Sequence, residues 1–470
     1  MVQNVAEQAD VVVVGAGPAG ASAAWELTRL GRQPLLIEQL DRVGGIARTE
    51  AINGARFDIG GHRFYTLIEE IEQIWEKILG PEFRKVARLS RIYFRGQFLQ
   101  YPISLGEVLH KLGLVESLRI LGSFMAARLN PRSPELSFED WVVNRYGRRL
   151  FELFFRAYTE KVWGISCREL SADWAAQRIR SMSLLTVLRH ALLGSSGARS
   201  LISEFRYPRL GVGQMWEAMV QEAVARGAEV RLGHKMEHIW LSDGRVAAVE
   251  IAGPDGSYKV SPEHVISSVP LPELVLSMRP DPPDHVLAAA RSLRYRAFVA
   301  VAVAVEHPNP FPDQWIYVHE PGVKLGRVQN YRNWSPDMVG SPDITLLALE
   351  YFCWPNDDFY SLSDEALIKL ALQEAETVGL LHQPRLLGAR VIRVPWAYPL
   401  YDPGYRDHVN VIRRFLEQIE NLQTVGRAGL HRYNGMDHSM LTGLLAARNV
   451  LGENNDVWAV NEEPQYVEGR

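Results

Sequence analysis

Cysteine and lysine are scarce in this chain of 470 residues. Only Cys167 and Cys353 are present, far apart and in no metal-like spacing. That excludes a disulfide framework, a thiolate zinc site and a Cys-x-x-Cys redox pair, and no metal centre is expected. Lysine supplies 8 of the 51 basic residues, leaving 43 arginines. Two readings of this bias stay open: genomic base composition, and a need for planar guanidinium forks that grip phosphate or carboxylate. There is no excess of positive charge either. The formal net charge is −4, which disfavours a general nucleic-acid binder. No uninterrupted apolar run reaches the ~18–20 residues of a membrane span. Residues 1–10 hold no basic stretch leading into an apolar core, so no signal peptide is expected. Internal repeats and low-complexity tracts are absent as well. The expectation is a cytoplasmic protein with no membrane or nucleic-acid partner. Its 47% apolar and 23% charged residues are an ordinary globular balance, and its length suits about three domain-sized units.

The chain opens with a buried-strand pattern at Val11–Val14, then Gly15-Ala16-Gly17-Pro18-Ala19-Gly20 and an apolar helical stretch to Leu30. Pro34–Glu38 reads as a second strand, completing a βαβ opening. From about Ile103 to Ser200 the pattern is mostly helical, with Leu105–Leu129 and Phe138–Tyr158 separated by Pro131 and Pro134. Strand patterns return around Glu229–Ile251, Arg294–Val305 and Leu346–Phe352, with Asp243-Gly244 as a hairpin signal. Leu441–Leu451 looks helical. The absence of a Pro/Ser/Gly linker favours a discontinuous domain layout.

The glycine pattern has a physical logic. Gly15 allows the tight turn, Gly17 lets the backbone approach a pyrophosphate, and Gly20 permits close helix–strand packing. Pro18 and Ala19 open the helix, whose N-terminal N–H groups favour anions. Glu38, ending the second strand, is placed to accept ribose hydroxyls. Gly44-Gly45 and Arg48-Thr49 follow shortly after. Together these segments resemble the FAD signature of glutathione-reductase-like and amine-oxidase-like flavoproteins. No second Gly-x-Gly-x-x-Gly is present, so one dinucleotide and no separate NAD(P) domain are expected.

Four further segments narrow the resemblance. They are Gly60-Gly61-His62-Arg63-Phe64-Tyr65-Thr66; Tyr158-Thr159-Glu160-Lys161-Val162-Trp163 with Trp174 and Arg178; Arg327 through Asn333-Trp334-Ser335-Pro336; and Gly426-Arg427-Ala428-Gly429 with Tyr433 and Asp437-His438-Ser439-Met440. In this order they resemble UDP-galactopyranose mutases, nearer the eukaryotic type, within the amine-oxidase and protoporphyrinogen-oxidase superfamily. The resemblance runs to about residue 452. It implies an α/β fold: a Rossmann-like FAD-binding domain with a helical insert and a mainly antiparallel β-sheet domain. The expected segments are 1–86, 205–268 and 391–470 for the FAD domain, 87–103 and 269–390 for the sheet domain, and 104–204 for the helical, substrate-side insert.

The resemblance also implies the chemistry. Reduced FAD attacks the anomeric carbon of a sugar nucleotide through its N5 and expels the diphosphate. The ring opens on that adduct and recloses, interconverting pyranose and furanose. The electron donor it allows is NAD(P)H. Residue by residue, it implies His62, Arg327, Arg427 and Tyr433 as catalytic. Tyr158, Trp163, Arg178, Asn333, Trp334, Tyr398 and Tyr401 would bind substrate, the arginines by gripping phosphate and the tyrosines by donating to it. The cofactor set comprises Gly15, Gly17, Pro18, Ala19, Gly20, Glu38, Gly44, Gly45, Arg48, Gly60, Gly61, His62, Met236, Gly426, Met436, Asp437 and Ser439.

The sequence departs from the family pattern at three places. Tyr65 stands where bacterial relatives carry a second His. Ile103-Ser104 replaces a pair that ends in Asn or Gln on the nucleotide side of the substrate. The stretch Tyr433–Asp437 is shorter than the eukaryotic loop. The sugar and the nucleobase therefore stay open, as does a homo-oligomeric state. The alternative activity is an FAD oxidase or desaturase of the amine-oxidase or protoporphyrinogen-oxidase type. A third reading, a non-catalytic or membrane-associated flavoprotein, rests on the apolar stretch Leu112–Leu129.

Overall fold

Val11–Val14 offers no polar face, and the fold buries all four residues in the middle of a sheet. The structure is a computed structural model that describes residues 7–101, 113–178 and 204–462, without the side chains of Gln177 and Arg178. Ile103 and Ser104 lie outside the described residues. Strand β1 (Glu7–Val14), helix α1 (Pro18–Arg29) and strand β2 (Pro34–Glu38) form the βαβ unit, with β1 and β2 parallel from Val11↔Pro34 to Val14↔Ile37.

The sheet has eight strands drawn from separated parts of the chain. Glu229–Leu232 extends it beyond β2, and Gly256–Ser267 flanks β1 on the other side, both parallel. Gly256–Ser267 changes partners along its length. Its first residues pair antiparallel with Arg245–Gly253, and its last pair parallel with β1 and with Leu422–Thr424. Asp243 and Gly244 join Lys235–Ser242 to Arg245–Gly253 with φ of 51° and 76°, the two positive values of a type I′ hairpin.

A second sheet of seven strands is antiparallel except where Trp315–Val318 runs parallel to Ser90–Phe94. Its strand Tyr295–Glu306 shows how the sequence sorts two cores. Ala300, Ala302 and Ala304 pack with Phe298 toward the first sheet, whereas Val299, Val301, Val303 and Val305 pack toward Leu367 and Ala371 of helix Asp364–Thr377. Alternation places small side chains on one face and branched ones on the other, so layers approach closely on the alanine side.

The helical part comprises Leu114–Leu129, Phe138–Tyr146, Arg156–Trp163 and Ala172–Arg178, with a π-helical turn at Phe151–Phe155. Ser137 and Asp140 form a reciprocal capping box at the start of Phe138–Tyr146. No described helix is long and apolar enough to cross a membrane.

Two segment boundaries need correction. Strand Leu386–Pro399 continues the antiparallel sheet past residue 390. Helices Leu271–Leu276 and Asp284–Ser292, expected in the sheet domain, pack instead with Val12 and Val14 on the face of the first sheet.

Candidate active site

The C-terminal ends of β1 and β2 open onto a cavity of about 750 Å³ that extends to the second sheet. Its first end is a backbone cradle. Gly15 has φ of 92°, and a Cβ there would lie 2.3 Å from Ser268 Oγ. Gly20 lies behind the wall, where a Cβ would meet Gly15 O at 1.8 Å. Gly17 differs: a Cβ there would meet nothing closer than Gly45 Cα at 3.7 Å. The protein leaves room at Gly17, which is the form a cradle takes when a ligand fills it. Gly44, with φ of 105°, turns the following loop and donates to Ala16 O at 2.8 Å without lining the cavity. Gly45 lines it against Gly17.

Glu38 is buried and accepts from Ala16 N at 2.8 Å and Leu40 N at 3.0 Å, while burial pushes its carboxyl pKa upward. Arg48 lines the cavity and is held by Glu50 at 2.6 Å and by Gly45 O at 2.7 Å. Met236 lines the same end from strand Lys235–Ser242.

Two helix N-termini converge here. Helix α1 begins at Gly17 and helix Met436–Val450 at Gly435, and neither has a side-chain cap. Pro18, Ala19, Met436, Asp437 and Ser439 line the cavity at these ends. Paired dipoles and uncapped N–H groups create a site for an anion such as a pyrophosphate. The helices pack so closely that a Cβ on Gly443 would lie 2.1 Å from Ala19 O. Gly426, with φ of 83°, passes against Ala19 and donates to Thr442 Oγ1 at 2.9 Å. These residues fit a bound FAD: a backbone cradle, a ribose-side carboxylate and two dipoles aimed at a diphosphate.

The opposite end is cationic and aromatic. Gly60, Gly61 and His62 form its loop wall. Gly60 has φ of 100°. Tyr331 fastens this loop by donating to Asp58 O at 2.5 Å and Gly60 O at 3.0 Å. Behind it, fully buried Asp58 accepts from Thr49 at 2.6 Å and from Tyr207, and burial raises its pKa to about 7. His62 is driven down to about 3, first by burial and then by the cationic Arg427 and Arg327. Its imidazole is therefore neutral at ordinary pH.

Arg327 is presented by strand Arg327–Asn330 and pairs with wholly buried Glu350 on the adjacent strand. Burial opposes its charge, but Glu350 holds the guanidinium pKa well above its ordinary value. Glu350 itself is pushed upward by burial; we assign it as the carboxylate, because Arg327 beside it has no other acid partner among the described residues. Arg427 lies 4.0 Å from the Tyr433 ring centroid and 4.8 Å from that of Tyr398. Its Nε and Nη2 are buried and make no hydrogen bond among the described residues. Tyr398 and Tyr433 stack at 5.8 Å, and burial pushes the Tyr398 hydroxyl up to about 12, keeping it a donor.

Of the other expected substrate residues, Trp334 lines the cavity and Tyr158, Trp163 and Tyr401 stand behind its wall. Tyr401 accepts from Tyr433 N at 2.9 Å and so positions its neighbour. Trp163 is buried against Trp174, Tyr398 and Tyr433. Tyr158 stacks on His319 at 4.4 Å. Trp334 lines the cavity and donates to Gln314 O at 3.0 Å. Asn333 is not brought to the site: its amide donates to Phe311 O and Asp313 O, both at 2.8 Å. Arg178 ends helix Ala172–Arg178, and its side chain lies outside the description.

The sequence reading missed Asp58, Gln329 and Glu350. Asp58 sits just ahead of Gly60-Gly61, a usable signal. Gln329 lies two residues beyond Arg327 on the same strand and so shares its face, a second usable signal. Glu350 carried none, because strand register alone brings it to Arg327.

A dinucleotide cradle running into such a cavity is the architecture of an FAD-binding fold. Residues 18–451 match the family described as flavin containing amine oxidoreductase, and the chain belongs to that family. Its fold is similar to the crystal structure of a reduced UDP-galactopyranose mutase, with a TM-score of 0.85 and 22% identity over 97% of this chain and 98% of that one. In sequence it is 26% identical over 430 residues to coproporphyrinogen III oxidase of Mycobacterium tuberculosis, covering 85% of this chain and 89% of that protein. A shorter match, 56% identical over 52 residues, is to M. tuberculosis AofH, which carries the name of a flavin-containing monoamine oxidase. It spans 11% of this chain and 12% of that protein.

Proposed function

We propose that this flavoprotein is a sugar-nucleotide mutase that interconverts pyranose and furanose forms of UDP-galactose or a related nucleotide sugar. One observation carries the reading: the charges of Arg327 and Arg427 both bear on His62 in one cavity, and Arg427 has two buried nitrogens with no partner among the described residues. A buried guanidinium without an acceptor is costly, and a diphosphate oxygen is a matching acceptor. Bound FAD in its reduced form, with NAD(P)H as the proposed electron source, supplies the nucleophilic chemistry in this reading.

The chain's own residues hold and orient the substrate. Arg327 and Arg427 keep the diphosphate beside the sugar as it departs and returns. Tyr398 and Tyr433 donate hydrogen bonds to it, and Tyr401 and Trp163 hold these rings in place. Neutral His62 exchanges hydrogen bonds without adding charge. Arg178 joins the set through the family resemblance alone.

A second reading, an FAD oxidase of the porphyrinogen-oxidase type, is favoured by the 26% identity to coproporphyrinogen III oxidase over most of the chain. Carboxylates of such a substrate would meet the same arginines. Incubating the dithionite-reduced protein with UDP-galactofuranose separates the two. Conversion to the pyranose that requires reduced flavin supports the mutase. No conversion, together with substrate-driven flavin bleaching and peroxide formation on a porphyrinogen, supports the oxidase.

A further inference from the structure

Gln329 lies between Arg327 and the loop bearing His62. It is 1% exposed and lines the cavity. Its Nε2 donates to Glu350 Oε1 at 2.9 Å, and the other carboxylate oxygen, Oε2, takes Arg327 Nε. Its Oε1 is buried and has no hydrogen-bond partner among the described residues. This orientation is set by chemistry. A flipped amide would place an oxygen against a carboxylate that only accepts. Packing holds it as well. A Cβ on Gly61 would lie 3.0 Å from Gln329 Nε2 and 3.2 Å from its Oε1, so the glycine makes room for the amide. The result is a rigid acceptor in a wall whose neighbouring cations, Arg327 and Arg427, can only donate.

A buried amide oxygen left unsatisfied is unfavourable, and native proteins rarely keep one without a role. We propose that Gln329 is a specificity-determining residue whose Oε1 accepts a hydrogen bond from an N–H or O–H donor of the molecule bound in the cavity. Two sources share that chemistry and both rest on the proposed function above: a ring N–H of the flavin, and a hydroxyl of the sugar. Gln329 thereby selects for a ligand that donates at this point. A bound molecule offering only acceptors would leave Oε1 facing another lone pair.

The test uses holoprotein carrying Gln329→Met, which removes the acceptor at similar volume, and Gln329→Asn, which withdraws it and guards against a folding failure in the first. Three quantities are read: the FAD dissociation constant, the flavin midpoint potential, and the affinity of reduced protein for UDP-galactose and for UDP. A flavin N–H present in both redox states predicts FAD binding at least tenfold weaker. An N–H present only on reduction predicts tenfold weaker binding of reduced relative to oxidised flavin, a fall of about 30 mV for a two-electron couple. A sugar hydroxyl predicts at least tenfold weaker UDP-galactose binding with UDP unchanged. All three within twofold of wild type would overturn the proposal. Wild-type protein that fails to bind UDP-galactose contradicts the mutase reading instead, and the flavin measurements then decide the role of Gln329.

Discussion

Arg327 and Glu350 stand opposite one another on neighbouring antiparallel strands and form an ion pair, with Glu350 wholly buried. The pair fixes one guanidinium at the cavity and leaves Glu350 Oε1 to orient Gln329. Removing Arg327 strands the charge of wholly buried Glu350, and removing Glu350 leaves partly buried Arg327 without its ion-pair partner. Glu350→Leu, like Arg327→Met, is expected to lower stability by about 3–5 kcal/mol. A Glu350→Leu, Arg327→Met double variant should recover most of that loss. Chemical denaturation of the two single variants and the double variant measures the coupling. Additive losses would contradict a direct pair.

Gly17 and Gly20 separate cofactor binding from folding. Gly20→Ala forces a Cβ to within 1.8 Å of Gly15 O, which the backbone must relieve by moving. We expect a loss on the order of 1–3 kcal/mol even without flavin. Gly17→Ala meets nothing closer than 3.7 Å, so the flavin-free protein should melt as wild type does. Its FAD content after purification should nonetheless fall steeply. Thermal melts of the apoproteins beside their flavin-to-protein absorbance ratios check both.

His62 gives the stability a pH dependence of known sign. Folded, its imidazole stays neutral to about pH 3, through burial and then the charges of Arg427 and Arg327. Unfolded, it takes up a proton near about pH 6.5. The unfolded chain binds more protons between these values. The His62 contribution is therefore complete above pH 6.5 and is lost as the pH falls toward 3. His62→Gln should flatten the acid limb by up to one proton, roughly 1.4 kcal/mol per pH unit. His319, held at about 3, and His431, at about 4, both depressed by burial, keep the remaining slope. An unchanged limb, measured by denaturation between pH 4 and 7, would contradict a neutral, half-buried His62.

Arg427 should matter to ligand far more than to folding, because two of its nitrogens have no partner among the described residues. Arg427→Met keeps the stem and the contact with the Tyr433 ring while removing the charge. Calorimetry should show UDP binding at least tenfold weaker, in line with about 1.5–3 kcal/mol for a charge-assisted hydrogen bond. Unfolding should shift little. Equal UDP affinity would rule out the phosphate role.

Features written in contiguous residues were legible. β2 spans Pro34–Glu38 as its composition suggests, and Asp243-Gly244 makes its hairpin. Features that depend on register or on distant packing were not. Glu350 reads as an acid inside an apolar run, and only the pairing of two strands turns it toward Arg327. Asn333 sits beside Trp334 in sequence, but a one-turn helix, Tyr331–Trp334, turns its amide onto Phe311 O and Asp313 O instead. Helix Met436–Val450 begins before the expected Leu441, because polar Asp437, His438 and Ser439 break the apolar period. Those same polar residues are buried near its N-terminus, and Asp437 and Ser439 face the cavity.

The role proposed for Arg327 and Arg427 is to hold a departing and returning diphosphate. The most direct measurement follows UDP-galactofuranose by chromatography with dithionite-reduced wild type, oxidised wild type and reduced Arg327→Ala. UDP-galactopyranose is expected from reduced wild type only, with FAD still bound to the variant. Conversion by the oxidised protein, or wild-type turnover by Arg327→Ala, would contradict it.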